Sequence, residues 1–226
     1  MNDQVQSLDY GYGLSAEQRN KVLRNTYLLL AMSLVPTVAG AWLGVATGIL
    51  HSGLAMILVL VAAFGLIFAV QKTKDTAAGV PVLLGFTFVM GLMMSGLIER
   101  TLGYKNGAEL VMTAFGGTAG VFFAMASLAS VIKRDLSGMG KWLFVGLITL
   151  LVGSLINIFV ASSTAMLVIS TISIGLFSAF MLYDLKRIID GGETNYISAT
   201  MALYLDIINV FQALLQLLGV FGGDRD

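Results

Sequence analysis

Two carboxylates in otherwise apolar sequence are the residues best placed to do chemistry in this chain. Asp206 lies in MALYLDIINVF, residues 201–211, and Asp184 lies in FMLYDLKRII, residues 180–189. A charge near the centre of a bilayer costs at least about 2.5 kcal/mol, so such residues are seldom carried without a role. Because no Lys or Arg is embedded in the membrane, Asp206 can be neutralised by a proton, by a proton shared with Asp184, or by a bound cation. Each of these couples the site to pH.

The pair suggests both a proton sensor and a cation site. Two close carboxylates in a low-dielectric environment cannot both ionise cheaply, so we expect Asp184 and Asp206 to share a proton. Protonated, the pair holds its two segments together; ionised, it repels itself and attracts a divalent cation. Carboxylate and amide oxygens are the ligands that calcium prefers, which makes both residues candidate calcium ligands. The alternative is that two hydrogen-bonded acids only fasten one helix to the next.

The composition places these acids in a membrane protein. Of the 226 residues, 57% are hydrophobic and 12% are charged, and the mean hydropathy is +0.88, outside the range of soluble domains. A net charge of zero gives no electrostatic case for a nucleic-acid partner. The absence of cysteine excludes disulfides and thiolate catalysis, and a single His excludes a His-rich zinc site. We therefore expect no enzyme and no cofactor, with calcium as a bound or permeating ion.

Seven apolar segments are long enough to cross a hydrocarbon core of about 30 Å, which takes about 20 helical residues. The sequence predicts an all-α fold, with a seven-helix transmembrane domain over residues 27–221. Residues 1–26 are predicted to form a flexible cytoplasmic tail and residues 222–226 a short C-terminal tail. The predicted helices are Tyr27–Ile49, Leu54–Val70, Gly79–Ile98, Ala108–Ile132, Trp142–Ala161, Thr164–Ile189 and Ile197–Val220.

The positions of Lys and Arg predict the orientation in the membrane. Ten of the 13 fall in the N-terminal tail and in the loops between segments two and three, four and five, and six and seven. Because short basic loops stay on the cytoplasmic side, we place the N-terminus in the cytoplasm and the C-terminus outside.

One face of segment seven is polar. At 100° per residue, its polar side chains fall within an arc of about 120°. Segments six and seven share a short loop and form an antiparallel hairpin, so this face brings Asp206 opposite Asp184. The predicted polar seam consists of Asp206 with Asn195, Ser198, Asn209, Gln212 and Gln216, and Asn157 of segment five is a candidate to complete its lining.

A run of glycines marks segment four. Gly116, Gly117 and Gly120 in AFGGTAGVFF form a GxxxG pattern, which predicts close contact with a neighbouring helix. The alternative is that this backbone lines a pore.

The C-terminal 40 or so residues resemble a known family signature. A Tyr-Asp pair ending at Asp184, LYLD-x-x-N-x-F around Asp206 and an Asn-Ile-Phe beginning at Asn157 are similar to the motifs of the Bax inhibitor family, also called the transmembrane Bax inhibitor motif family. NKVLRNTYLLL before the first segment and GGETNYI before the last are closest to its bacterial branch, which includes modulators of the FtsH protease.

The resemblance implies a pH-sensitive calcium leak across the bacterial inner membrane. In that family an aspartate pair in the last two helices senses protons, and the matching positions here are Asp184 and Asp206. A basic residue at the cytoplasmic end of segment two is implicated as a latch for the helix-six aspartate, and Lys72 is the nearest candidate. A Lys offers a point charge instead of the bidentate fork of an Arg, which would weaken such a latch.

The resemblance also implies a protein partner. Members of the bacterial branch bind FtsH, a membrane-anchored, ATP-dependent protease. We expect a cation leak gated by the aspartate pair as the main function, with regulation of FtsH without transport as the alternative. A membrane-embedded aspartyl protease is disfavoured, because the flanking sequence lacks the Gly-rich context expected of one.

Overall fold

The computed structural model describes residues 15–222, and its regular structure is entirely helical. All seven predicted helices are present, and each is long and apolar enough to cross a membrane. A short 3₁₀ turn, Ile49–His51, joins the first two. The helices are α1 Ala16–Thr47, α2 Gly53–Thr73, α3 Gly79–Leu102, α4 Gly107–Val131, α5 Met139–Val160, α6 Ser163–Ile189 and α7 Tyr196–Phe221.

The first helix begins earlier than predicted. Residues 16–26, assigned above to a flexible tail, form the first three turns of α1. A capping box starts the helix: the Ser15 hydroxyl oxygen accepts from the Gln18 N–H at 3.2 Å, and Gln18 Oε1 accepts from the Ser15 N–H at 2.9 Å. Hydropathy therefore located the apolar part of the helix and not its start. The remainder of the predicted tails, residues 1–14 and 223–226, lies outside the described residues.

Helix α7 is the centre of the bundle and α5 is its periphery. Helix α7 contacts α1, α2, α3, α4 and α6, whereas α5 contacts only α6 among the described helices. Leu203, Tyr204, Val210 and Leu215 of α7 are fully buried, and Leu143 is the one buried residue of α5. An apolar helix gains little by leaving lipid for protein, so α5 can remain exposed to the acyl chains.

The closest helix crossing joins α1 and α3. A Cβ at Gly40 would collide with the carbonyl oxygen of Phe88, and one at Gly91 would collide with that of Thr37. Glycine at both positions lets the two backbones touch, as small residues do in membrane bundles.

The prediction for the glycines of α4 was wrong at two of three positions. Gly116 and Gly120 face open space, and only Gly117 approaches a neighbour, with its Cβ position 3.2 Å from Leu214 Cδ1. The spacing marks a smooth helix face, but it does not say whether another helix covers that face.

Candidate functional site

Asp206 is a buried carboxyl group in the middle of the central helix. It is the eleventh residue of α7, roughly 15 Å along the helix at 1.5 Å per residue, and its exposure is 5%. Its Oδ2 atom is buried and has no hydrogen-bond partner among residues 15–222. The side chain therefore stands in the core with an oxygen that no neighbouring group satisfies.

Asp184 is the acidic residue that acts electrostatically on Asp206. It lies half-buried on α6, near enough to Asp206 for the two carboxylates to interact electrostatically. The antiparallel α6–α7 hairpin thus brings the two acids within electrostatic range of each other. No hydrogen bond joins them within the described part of the chain, so the structure does not contain the shared-proton bond.

The cations around Asp184 differ from those predicted. Lys72 is exposed at the end of α2 and forms no ion pair with Asp184 among the described residues. The charges that act on Asp184 belong to Arg187, on the same helix, and Glu193. Arg187 is itself paired with Glu193, Nη2 to Oε2, at 3.1 Å. The charges that act on Asp184 therefore come from the end of α6 and the α6–α7 turn.

Asn195 starts α7 and does not line a membrane seam. Its Oδ1 accepts from the N–H groups of Ile197 at 2.9 Å and Ser198 at 3.0 Å, which is an N-cap. Its Nδ2 donates to the Lys74 carbonyl oxygen at 3.1 Å and to Asp75 Oδ1 at 2.7 Å, in the α2–α3 loop. Asn195 is therefore a structural clamp between two loops.

Ser198, one turn further on, resembles Asp206 in its environment. Its hydroxyl oxygen is buried and has no hydrogen-bond partner in the described part of the chain. Buried polar atoms are normally satisfied in proteins. The two atoms without partners lie on the same helix, on either side of the turn that contains the fully buried Leu203.

The other predicted seam residues line a separate cavity. The space between α5, α6 and α7 measures about 310 Å³, enough for about ten waters at about 30 Å³ each. Its polar lining carries no charge, and Asp206 is not part of it. The amides that line it are Asn157, Asn209, Gln212 and Gln216.

Three of these amides have local protein partners, and the fourth projects into the cavity. Asn157 Oδ1 accepts from the Ser162 N–H at 3.1 Å, and Asn209 Nδ2 donates to the Leu205 carbonyl oxygen at 2.7 Å. Gln216 Oε1 accepts from the Ser170 hydroxyl at 2.8 Å. Gln212 is exposed at the cavity wall. The predicted seam therefore divides into a carboxylate region and an amide-lined cavity that begins one turn beyond Asp206.

A buried tyrosine network next to Asp206 was not predicted. The Tyr204 hydroxyl lies 2.9 Å from Thr37 Oγ1 on α1 and 3.3 Å from the Thr87 carbonyl oxygen on α3. The ring packs edge-on against Phe86, with centroids 6.0 Å apart. A tyrosine hydroxyl deep in an apolar segment needs a hydrogen-bond partner. The tyrosine in LYLD could therefore have predicted a buried hydrogen bond at this position. This network fixes the position of the helix that carries Asp206.

Comparison with known proteins assigns the family. A family model described as inhibitor of apoptosis-promoting Bax1 matches residues 19–223. The chain belongs to the Bax inhibitor family. The family resemblance that was inferred from the motifs around Asp184 and Asp206 is thereby confirmed.

Bacterial relatives extend along nearly the whole chain. An uncharacterized membrane protein of Vibrio cholerae is 39% identical over 208 residues, 92% of each chain. YccA of Escherichia coli K12, named modulator of FtsH protease, is 35% identical over 205 residues, 91% of this chain and 92% of its own. A second E. coli relative with the same identity and coverage is named inner membrane protein YccA. This Bax inhibitor family member is accordingly a multi-pass protein of the bacterial inner membrane, and the names of its relatives describe membrane location and regulation.

Proposed function

We propose that this protein is a regulatory partner of a membrane-anchored protease of the FtsH type. The supporting observation is its 35% identity, over 91% of the chain, to a modulator of FtsH protease. The described structure offers a suitable contact surface. Helix α1 has 32 residues, about 48 Å at 1.5 Å per residue, which is longer than the roughly 30 Å apolar core of a membrane. Its first turns carry Glu17, Arg19, Lys21 and Arg24, so a charged helical stalk extends beyond the apolar part of the helix.

A deletion tests this proposal. Residues 1–14 are removed, which retains Ser15 and the capping box, and in a second variant Arg19, Lys21 and Arg24 are each changed to Gln. We expect both variants to co-purify less with FtsH and to alter the degradation rate of an FtsH membrane substrate less than the wild type does. Asp206→Asn is the matched control and should retain both effects. Full binding and full regulation by the two variants would contradict the proposed role of the stalk, and no binding by the wild type would contradict the partner itself.

We propose a pH-sensitive cation leak as a second function, supported by a different observation. Asp206 has a buried oxygen without a partner, a second carboxylate lies within electrostatic range, and an amide-lined cavity begins one turn away. The proposed cation pathway passes the acid pair and the amide-lined cavity. When both acids are neutral, no negative charge attracts a cation into this pathway, so it is closed. When they ionise, the repelling pair attracts a cation, and the amides of the cavity replace part of its hydration shell.

The donor set suits a passing calcium ion better than a resident one. Calcium takes six to eight oxygen ligands in stable sites. No group of three or more His, Cys, Asp or Glu residues that could hold a metal ion is formed in residues 15–222. Asp184 and Asp206 would therefore supply two carboxylates to an ion that keeps most of its waters.

Flux through purified protein tests the leak. The protein is reconstituted in liposomes that contain a fluorescent calcium indicator, and entry is recorded at pH 6 and pH 8. We expect flux that depends on pH in the wild type, and a smaller pH dependence in Asp206→Asn and Asp184→Asn. Glu109→Gln, a change of an exposed carboxylate in the first turn of α4, is the control and should behave as wild type. Flux equal to that of empty liposomes at both pH values would contradict this function and leave the first proposal intact.

A further inference from the structure

A second cavity lies at the loop between α4 and α5, away from the acid pair. It measures about 400 Å³ and is lined by Arg134, Asp135, Leu136, Gly138, Met139 and Trp142. The loop stands at the same end of the bundle as the start of α1, because the connecting loops alternate between the two ends. We call this cavity, with the flanking residues Lys133 and Lys141, the basic pocket.

The cations of the basic pocket have no ion-pair partner among residues 15–222. Lys133, Arg134 and Lys141 are all exposed, and none of them forms an ion pair with another described residue. The neighbouring α6–α7 turn differs: Lys186 is paired with Asp190 at 2.7 Å, and Arg187 is paired with Glu193 at 3.1 Å. The cations of the α6–α7 turn are thus paired with acids of the protein. The three cations of the α4–α5 loop remain available to an external anion.

The single acid of the basic pocket is occupied by its own loop. Asp135 Oδ1 accepts from the Ser137 N–H and Oδ2 accepts from the Ser137 hydroxyl, both at 2.8 Å. These two hydrogen bonds hold the pKa of the Asp135 carboxyl below its ordinary value, so the group is ionised at neutral pH. Since both oxygens are bonded to Ser137, the carboxylate shapes the turn and leaves Arg134 unpaired. Three cations and one carboxylate make the loop net positive.

The surroundings of the pocket are those of a lipid headgroup. Trp142 is 79% exposed, and an exposed indole at a helix end is typical of the headgroup level of a bilayer. Below it, Val145, Ile148 and Val152 of α5 are exposed large apolar residues. Within residues 15–222, α6 is the one helix that contacts α5, so this apolar surface is open to an acyl chain.

We propose that the basic pocket binds the phosphate group of an anionic phospholipid, whose acyl chain lies along α5. Clustered Lys and Arg residues next to the end of a membrane helix attract anionic headgroups in this way. The apolar surface next to the cations favours a lipid over free phosphate, because a free anion would use only the polar half of the pocket. The bound lipid would add a second partner to α5, the helix with the fewest contacts.

The position of the pocket connects the lipid to the acid pair. Gly140, in the first turn of α5, lies so close to α6 that a Cβ there would be 2.8 Å from the Tyr183 hydroxyl oxygen. Tyr183 directly precedes Asp184 in the chain. A lipid that fixes the first turn of α5 would therefore restrict Tyr183, the residue next to Asp184.

Quenching of Trp142 by brominated lipids tests the proposal in the full-length protein. The chain has two tryptophans, so Trp42→Phe leaves Trp142 as the only indole. We expect brominated phosphatidylglycerol to quench Trp142 with an apparent affinity at least about fivefold higher than that of brominated phosphatidylcholine, the factor expected from one cation near an anionic headgroup. The triple change Lys133→Gln, Arg134→Gln and Lys141→Gln should remove this preference.

Two controls and a competitor complete the experiment. Lys74→Gln removes a cation from another loop at the same end and should retain the preference, and Asp135→Asn, which preserves the acceptor for the Ser137 N–H, should increase it. Inorganic phosphate at the headgroup concentration should not relieve quenching. Equal quenching by the two lipids, an unchanged preference in the triple variant, or displacement by inorganic phosphate would each overturn the lipid site.

Discussion

At the scale of single residues, Asp206 and Tyr204 show two opposite ways to place a polar group in an apolar core. The Tyr204 hydroxyl is close to acceptors on two other helices, whereas the Oδ2 of Asp206 has no partner among the described residues. A buried polar group left unpaired costs about 1–3 kcal/mol. A protein keeps such a residue when activity compensates for the loss in stability.

Asp206→Asn should therefore stabilise the protein, and more so at high pH. Above the range where the acid ionises, the wild type contains an unpaired buried charge next to Asp184, which the amide avoids. We expect the unfolding midpoint of the variant in detergent to rise relative to wild type at pH 8, with a smaller difference at pH 5. At about 2–4 °C per kcal/mol for a chain of this size, a gain of about 1–3 kcal/mol is measurable by circular dichroism.

Tyr204→Phe provides the comparison for that measurement. It removes a hydroxyl that has partners, so its midpoint should fall at both pH values, with a loss of about 1 kcal/mol. If Asp206→Asn also lowers the midpoint at both pH values, the acid only fastens α7 to its neighbours, and the functional interpretation of the pair is wrong.

At the scale of helices, the start of α7 depends on one side chain with two tasks. Asn195 caps the helix through Oδ1 and binds the α2–α3 loop through Nδ2. Asn195→Ala should lower the free energy of unfolding by at least about 1 kcal/mol, the usual value for a lost N-cap. Asn195→Ser keeps a capping oxygen and loses the amide donor without placing a second carboxylate against Asp75, so it isolates the link to the loop. Thr194→Ala, an exposed neighbour, is the control in the same thermal unfolding assay, and a fall equal to that of Asn195→Ala would contradict the assignment.

The existence of the helices was predictable, and the contacts between them were not. Long apolar runs identify membrane spans because the bilayer leaves no alternative to a helix. The start of α1 was missed because the capping box at Ser15 and Gln18 supports helix in polar sequence. Gly116 and Gly120 were predicted to contact a neighbouring helix but face open space, whereas Gly40 and Gly91 make the close crossing of α1 and α3, since small residues permit a close approach without identifying the partner.

The candidate site was predicted in part for a related reason. A short loop forces α6 and α7 to be antiparallel, which is enough to bring Asp184 towards Asp206. The position of a residue around the helix axis, in contrast, predicts the direction of its side chain. It does not predict which neighbouring residues lie opposite that side chain in the membrane. Asn195 lies on the same helix face as Gln216 but at the level of the loop. Lys72 was matched to Asp184 through the family resemblance, whereas the charges that act on Asp184 belong to Arg187 and Glu193.

At the scale of the whole molecule, the basic loops gather at one end of the bundle. The start of α1 and the α2–α3, α4–α5 and α6–α7 loops share that end, which we predict to face the cytoplasm. The cysteine-free chain makes the test direct. With single changes Ser52→Cys and Thr76→Cys, a membrane-impermeant maleimide added to spheroplasts should label residue 52 at once and residue 76 only after permeabilisation.

The unmodified protein, which has no thiol, gives the background of this labelling. The reverse pattern would invert the orientation, and would place the basic pocket and the charged stalk of α1 outside. Labelling of both positions without permeabilisation would contradict a membrane-spanning α2, because α2 lies between the two positions.

The isolation of α5 bears on how such a protein can diverge. Because α5 packs only on α6, substitutions on its outer surface leave the α1–α3 crossing and the buried side of α7 intact. Yet α5 forms one wall of the amide-lined cavity. Random mutagenesis should find this helix the most permissive of the seven, so the width and lining of the cavity can be altered in small steps while the scaffold persists. The α1–α3 crossing and the core around α7 are thus constrained by packing, whereas α5 and the cavity that it lines can change under selection.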